Sequence, residues 1–462
     1  MKGLVSVIVL VLLVVDAIKG SQYDDGICEY KRALAPRPHS VTLTEFGAVG
    51  DGKTVNTLAF QNAIFYLRSF ADKGGAQLFV PKGKWLTGSF NLISHLTLFL
   101  DKEAVIIGTQ DLQQWPTADP LPSYGSGIDL PGRRYQSLIN GNNLTDIVIT
   151  GDNGTIDGQG LVWWDSFRSH NLSYSRPHLI EIVNSKDIIV SNLTFLNPPA
   201  WTVHPVYCSN LMVQNVAINA PSDSPYTNGI VPDSCSDMCI KDSSITVGYD
   251  AISIKSGWDE YGISYSKPSS NIHITNVFLQ SLLGSALAFG SEMSGGISNI
   301  HADHLQIYNS YIGINFKTTR GRGGLVEDIL VSEVEMQSVN TAINFDGHFG
   351  GHPDDRYDPD ALPVINRITI KKVIGTDISV AGFLNGIEQD SFTAICLSNI
   401  NMTLAPPSSS EASTPWICSN VSGFSQEVFP EPCSDLQEHY SNSSLICYSF
   451  AAKYKYVPLA MA

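Results

Sequence analysis

The sequence predicts an all-β fold, a parallel β-helix in which one strand follows another around a shared core. Three observations carry this. A short phrase recurs, a polar pair followed by alternating apolar residues, at Thr145-Asp146-Ile147, Lys186-Asp187-Ile188, Ser209-Asn210-Leu211, Ser236-Asp237-Met238, Ser270-Asn271-Ile272, Ser298-Asn299-Ile300, Glu327-Asp328-Ile329 and Asn366-Arg367-Ile368. Successive starts from Asp187 to Asn299 lie 23, 27, 34 and 28 residues apart, a spacing that marks a solenoid. Alternation of period two within each phrase marks short strands. The regular hairpin turns of an antiparallel sandwich and the tight leucine spacing of leucine-rich repeats are both missing. A single coil cannot bury its apolar face, so the coils must stack and share one core.

Taken in order, the chain opens with Met1-Lys2-Gly3 and an apolar run from Leu4 to Val15. The run is too short for a bilayer core, which needs about 20 residues, and it fits a secretory signal peptide with small residues at Gly20 and Ser21. Phe46 to Gly52 is a glycine-punctuated turn leading into a helical stretch in which Phe60, Ile64, Leu67 and Ala71 share a face. Asn56 is expected to cap that helix and Gly74-Gly75 to end it. The helix should plug the open end of the solenoid, since an unpaired strand edge recruits other chains. No lysine follows the glycines where a phosphate loop would need one. Asn and Asp in the recurring phrases suit the corners between strands, because they tolerate left-handed backbone. Ala405 to Ser410 reads as a loop, after which Cys418, Cys433 and Cys447 are expected to staple a tail. The organisation that follows is a signal peptide over 1–20, the β-helix with its cap over 21–400, and a disulfide-stapled tail over 401–462.

Charged residues make up only 16% of the chain and the formal charge is −16. That balance excludes a nucleic-acid partner, which needs a basic stripe to neutralise phosphates. Seven Asn-x-Ser/Thr sequons, at Asn143, Asn153, Asn171, Asn192, Asn401, Asn420 and Asn442, agree with a glycosylating, oxidising route. Eight cysteines fit the same compartment. Cys235 and Cys239 lack the companions of a zinc site, and neither a metal nor a cofactor is expected. Cys208 and Cys235 precede their phrases by the same offset, so they should stack on adjacent coils within reach of a disulfide.

Several segments resemble the plant polygalacturonases, hydrolases of pectin. They are Asn153 to Gly160 with Trp163-Trp164, Arg176-Pro177-His178, Asn197 to Trp201, His204-Pro205, Tyr226 to Ile230, Gly248-Tyr249-Asp250, Lys255 to Gly262 and Gly290 to Gly296. Their order and spacing extend the resemblance over roughly residues 40 to 400. It implies a right-handed β-helix, a pectin groove across its coils, and inverting hydrolysis of α-1,4-galacturonan. Inversion needs one carboxyl to protonate the leaving oxygen and another to activate water.

The substituted positions are the informative ones. Where the family reads Asn-Thr-Asp-Gly-Ile, this chain has Asn228 in place of the base, and an amide cannot take a proton from water. Where it reads Gly-Asp-Asp, Tyr249 replaces the proton donor, and a phenol is a poor acid for this bond. Asp250 keeps its carboxylate. Ser285 stands in place of the family's histidine, and Asn315 in place of an arginine two residues before the retained Lys317. Lys317 and Lys255 are expected to hold a galacturonate carboxylate, with Arg320 and Arg322 as further candidates. Asp233, Asp259, Glu260, Glu292 and Asp346 are the acids that could replace the lost pair. The expectation is a secreted, monomeric, polygalacturonase-like protein of the plant cell wall, with pectin as partner, no membrane contact once the signal is removed, and impaired catalysis. The alternative is a pectin-binding protein that does not cut.

Overall fold

The computed structural model describes Cys28, residues 36–406 and residues 414–437. The apolar leader, Cys447 and the Asn442 sequon lie outside the described residues. Within them the chain winds as a right-handed parallel β-helix. Lys186–Leu196 pairs with Ser209–Asn219, which pairs with Ser236–Val247, then Ser269–Ser281, Ile297–Lys317, Leu325–Asp346, Val364–Asn385 and Phe392–Leu404, each neighbour parallel. Parallel pairing continues past residue 400, because Val421–Phe429 adds another rung on Phe392–Leu404.

The recurring phrase is the corner that the sequence suggests. Asp146, Asp187, Asn210, Asp237, Asn271, Asn299, Asp328 and Arg367 all have φ between 52° and 60°, the left-handed region where Asn and Asp are enriched. Their side chains also bond up the stack: Asn210 Nδ2 donates to Asp187 Oδ1 at 2.6 Å and Asn271 Nδ2 to Asp237 Oδ1 at 3.0 Å. The residue after each corner turns inward. Ile188, Leu211, Met238, Ile272, Ile300, Ile329, Ile368 and Ile395 form one register-matched column and all are buried. Phe289, Phe316 and Phe345 stack in a second column, with ring centroids 4.5 and 4.3 Å apart. Stacked rungs place like beside like, so aliphatic and aromatic ladders extend through the core.

Helix α1, Thr57–Leu67, plugs the N-terminal end with buried Phe60, Ala63, Ile64 and Leu67, and Phe60 stacks on Phe90 at 4.6 Å. Asn56 precedes the helix but its side chain does not cap it. It accepts from Val49 N and donates to the carbonyls of Val49 and Thr54, so it fastens the glycine turn instead. A 3₁₀ turn, Arg68–Phe70, follows before Gly74 and Gly75.

Cys208 and Cys235 do stack, on adjacent rungs, but both are free thiols. This corrects the expectation that they could bond. Each sulfur is already a donor to carbonyls of its own and the preceding rung: Cys208 to Val206 and Ile182, Cys235 to Asp233 and Pro205. The disulfides lie elsewhere. Cys28–Cys239 ties the N-terminal segment to the outer wall beside Val148, Ile189 and Met212, and Cys418–Cys433 closes the last rung.

Because each column residue touches the rungs above and below, Ile300→Ala should cost about 2–5 kcal/mol. Chemical denaturation that showed no loss of stability would contradict the continuous-column packing.

Candidate active site

The rungs bring all seven expected site residues onto one floor. Ile230 bridges Ile252, and Ile252 pairs with Leu287, so Asn228, Asp250 and Ser285, each two residues earlier, occupy the same place on successive rungs. Main-chain bonds fix the spacing: Gly229 N donates to Asp250 O at 3.0 Å and Ala251 N to Ser285 O at 2.8 Å. Two glycines permit so close an approach. A Cβ on Gly229 would lie 2.3 Å from Ala251 O, and one on Gly284 would lie 2.5 Å from the Tyr249 carbonyl carbon.

Asp250 is the centre of the network and is 1% exposed. Its Oδ1 accepts from Ser285 N at 3.0 Å and its Oδ2 from Lys317 Nζ at 2.5 Å. Its own N–H donates to Asn228 Oδ1 at 3.2 Å. Ser285 Oγ accepts from Asn315 Nδ2 at 2.8 Å, and Asn315 Oδ1 accepts from Asn344 Nδ2 at 2.7 Å. Where the resemblance expects a histidine and an arginine, a chain of neutral hydrogen bonds therefore runs sideways under the floor. Lys317 reaches Asp250 from two rungs on, on the same wall.

Above this floor lies a cavity of about 260 Å³ lined by Asn228, Tyr249, Lys255 and Lys317, together with Trp201, Tyr226, Glu292, Tyr124, Phe167, Trp258 and Phe349. Asp250, Ser285 and Asn315 sit beneath it. Tyr249 packs edge-on against Tyr226 with centroids 4.9 Å apart, and Lys317 Nζ lies 5.2 Å from the Tyr249 ring and 5.0 Å from that of Phe349. Burial first, and the Asp250 charge second, push the Tyr249 phenol well above its ordinary value. Burial pulls the Lys317 ammonium down, and the Asp250 carboxylate offsets part of that.

Of the candidate replacement acids, Glu292 alone lines the cavity. Asp233 lies below the floor, accepting from the Tyr124 hydroxyl at 2.5 Å and beside His204 Nε2 at 3.3 Å. Asp259 is fully buried between Arg322 at 2.5 Å and His352 at 2.6 Å, which also removes Arg322 as an anion-holding group. Arg320 bonds Gln389 at 2.6 Å, and neither it, Glu260 nor Asp346 lines the cavity. Glu292 does line it, but is ion-paired to Lys255. Burial raises its carboxyl, yet Lys255 and Arg322 outweigh that and hold it at about 2.

Sequence reasoning did not single out Tyr124, Ile128, Asp129, Phe167, Phe349 and Gly350, which also line the cavity. They come from loops and from helix α2, Leu161–Arg168, and share no repeat that could have flagged them.

The Glu292 shift has a pH consequence. Its folded value of about 2 lies below the ordinary 4.5, so its contribution to stability is full above pH 4.5 and is lost as pH falls through about 2. The stability difference between the wild type and Glu292→Gln should therefore shrink as acid denaturation is followed from neutral pH into that window. A difference that stays constant would contradict the Lys255–Glu292 pair.

A probable polygalacturonase of Vitis vinifera is 47% identical over 445 residues, covering 96% of this chain and 90% of that protein. Polygalacturonase-2 of Solanum lycopersicum is 26% identical over 419 residues, covering 86% and 81%. Among solved structures, an exopolygalacturonase from Thermotoga maritima superposes with a TM-score of 0.71 at 25% identity, covering 83% of this chain and 90% of its own. A polygalacturonase from Erwinia carotovora shares the fold with a TM-score of 0.67 at 22% identity, covering 86% and 100%. Residues 75–428 match the glycosyl hydrolases family 28, and with that span, the β-helix and the polygalacturonase relatives together, this chain is a member of that family.

Proposed function

We propose that the groove binds the galacturonan backbone of pectin in the plant cell wall, and that inverting hydrolysis there is severely impaired. The observation that carries this is the pairing on the floor. The two positions where the resemblance expects carboxylates hold an amide, Asn228, and a phenol, Tyr249, while the carboxylate that remains, Asp250, is tied to Lys317 at 2.5 Å. Protonation of the leaving oxygen and removal of a proton from water are separate tasks needing separate groups. Here one carboxylate faces both, and the phenol beside it holds its proton more tightly than a free tyrosine does.

General acid or base assistance contributes about 10²–10⁴-fold, and losing one member of a cooperating set costs several orders of magnitude. Lys317, Asn315 and Ser285 then serve to hold Asp250 and shape the floor, with Lys255 steadying Glu292. Secretion rests on the leader-like segment, the sequons and the disulfide Cys28–Cys239. The protein is taken to act as a monomer.

The lining also favours a second reading, a pectin-binding protein that does not cut. Trp201, Tyr226, Tyr249, Phe349 and Phe167 face the cavity, and aromatic faces hold sugar rings without any chemistry. Reducing-end release from polygalacturonate separates the readings. The wild type should release almost nothing, and Asn228→Asp combined with Tyr249→Asp should raise the rate by at least about 100-fold. Robust cleavage by the wild type would overturn the impairment. Oligogalacturonide binding without release in both forms would favour the binding protein.

A further inference from the structure

We propose that this groove prefers pectin segments whose carboxyls are methyl-esterified over free polygalacturonate. The inference rests on the pectin reading above and names the chemical form of the chain.

A cation that is to hold a galacturonate carboxylate needs an N–H that is both free and facing the ligand. Two cations line the cavity, and the charge of each is already matched by a carboxylate of the fold. Lys317 is 3% exposed, bonded to Asp250 at 2.5 Å, and roofed by the rings of Tyr249 and Phe349. Lys255 is 5% exposed, paired with Glu292, donates to Gly290 O at 3.2 Å, and lies 5.5 Å from the Trp201 ring. The two ammonium charges are offset one for one by two carboxylates. The next cations out are closed in the same way: Arg176 is bonded to Asp129 at 2.8 Å and Arg322 to Asp259 at 2.5 Å, both with side chains 0% exposed. The position where the resemblance expects a further arginine is Asn315, whose amide is used by Ser285 and Asn344.

A free carboxylate entering this cavity would lose water and gain no unpaired cation, on a chain carrying a formal charge of −16. Burying a charge without a partner is costly. A methyl ester carries no charge to desolvate. Its methyl group suits the aromatic lining, and its carbonyl oxygen can accept from a neutral donor. Asn228 supplies one: its Oδ1 is taken by the Asp250 N–H, while its Nδ2 has no partner among the described residues and Asn228 lines the cavity.

The test is calorimetric titration of the full-length mature protein with size-matched galacturonan oligomers, one unesterified and one highly methyl-esterified. The esterified oligomer should bind at least about 10-fold more tightly, with an affinity that hardly changes with salt. Equal or tighter binding of the unesterified oligomer overturns the preference while leaving the pectin reading in place. No binding of either oligomer overturns the pectin reading and the preference with it. Glu292→Gln releases Lys255 from its partner, so the unesterified oligomer should gain about 5-fold or more while the esterified one changes little. A variant that binds the unesterified oligomer no better than wild type does would also count against the proposal.

Discussion

The constraint on which everything else depends is that successive rungs stack in register. A parallel rung repeats about every 4.8 Å, so whatever the sequence places at one point of a coil lies directly beside its counterpart in the next. This turns a linear repeat into columns: Ile over Ile in the core, Asn over Asp at the corners, Phe over Phe beneath the groove. The same rule aligns Asn228, Asp250 and Ser285, which are 22 and 35 residues apart in sequence and one rung apart in space. It also forces close contact where two rungs carry motifs side by side, and small residues occupy those points. At Gly229 and Gly284 the neighbouring backbone leaves no room for a Cβ.

On that frame the electrostatics of the groove are those of closed pairs. Lys317 pairs with Asp250, Lys255 with Glu292, Arg176 with Asp129 and Arg322 with Asp259; all four cations are buried, and each has its carboxylate within the fold. Breaking such a pair from one side is far more damaging than replacing both partners, because it strands a charge away from water. With Asn228 and Tyr249 beside it, the floor is held by Asp250 and Lys317, which neutralise each other. A phenol and an amide hydrogen-bond and stack, but they do not shuttle protons at the rate a tuned carboxyl does, which is the ground for the proposed shift from bond breaking toward recognition.

The walls of the groove are held by a different device. Asp259, at the start of helix α3, Asp259–Tyr265, joins Arg322 and His352, and Arg322 also bonds the carbonyls of Ser291 and Gly351. Trp258 donates to Gly351 O as well. Through these contacts the segment that follows Leu325–Asp346 is fastened over the floor, which puts Phe349 and Gly350 at the cavity edge. The run from Lys255 to Gly262 thus helps to anchor a wall, with Asp259 held between Arg322 and His352.

Much of this was legible in the chain itself. Period-two alternation and the recurring Asn/Asp corners determine the solenoid, because left-handed corners and inward aliphatics are local demands that each phrase states in its own residues. The resemblance to polygalacturonases supplied the candidate residues, and motifs at fixed offsets from the corners land on adjacent rungs, which brings Asn228, Asp250 and Ser285 side by side. What the tertiary structure alone decided is pairing at long range. Cys208 and Cys235 obey the offset rule and stack, yet are free thiols whose sulfurs lie against nearby carbonyls. Asp233, Asp259 and Glu292 look in sequence like spare acids, and only the positions of His204, Arg322 and Lys255 across the coil show that each already has a partner. The aromatic walls come from loops outside the repeat, where no periodicity ties a residue to a place in space.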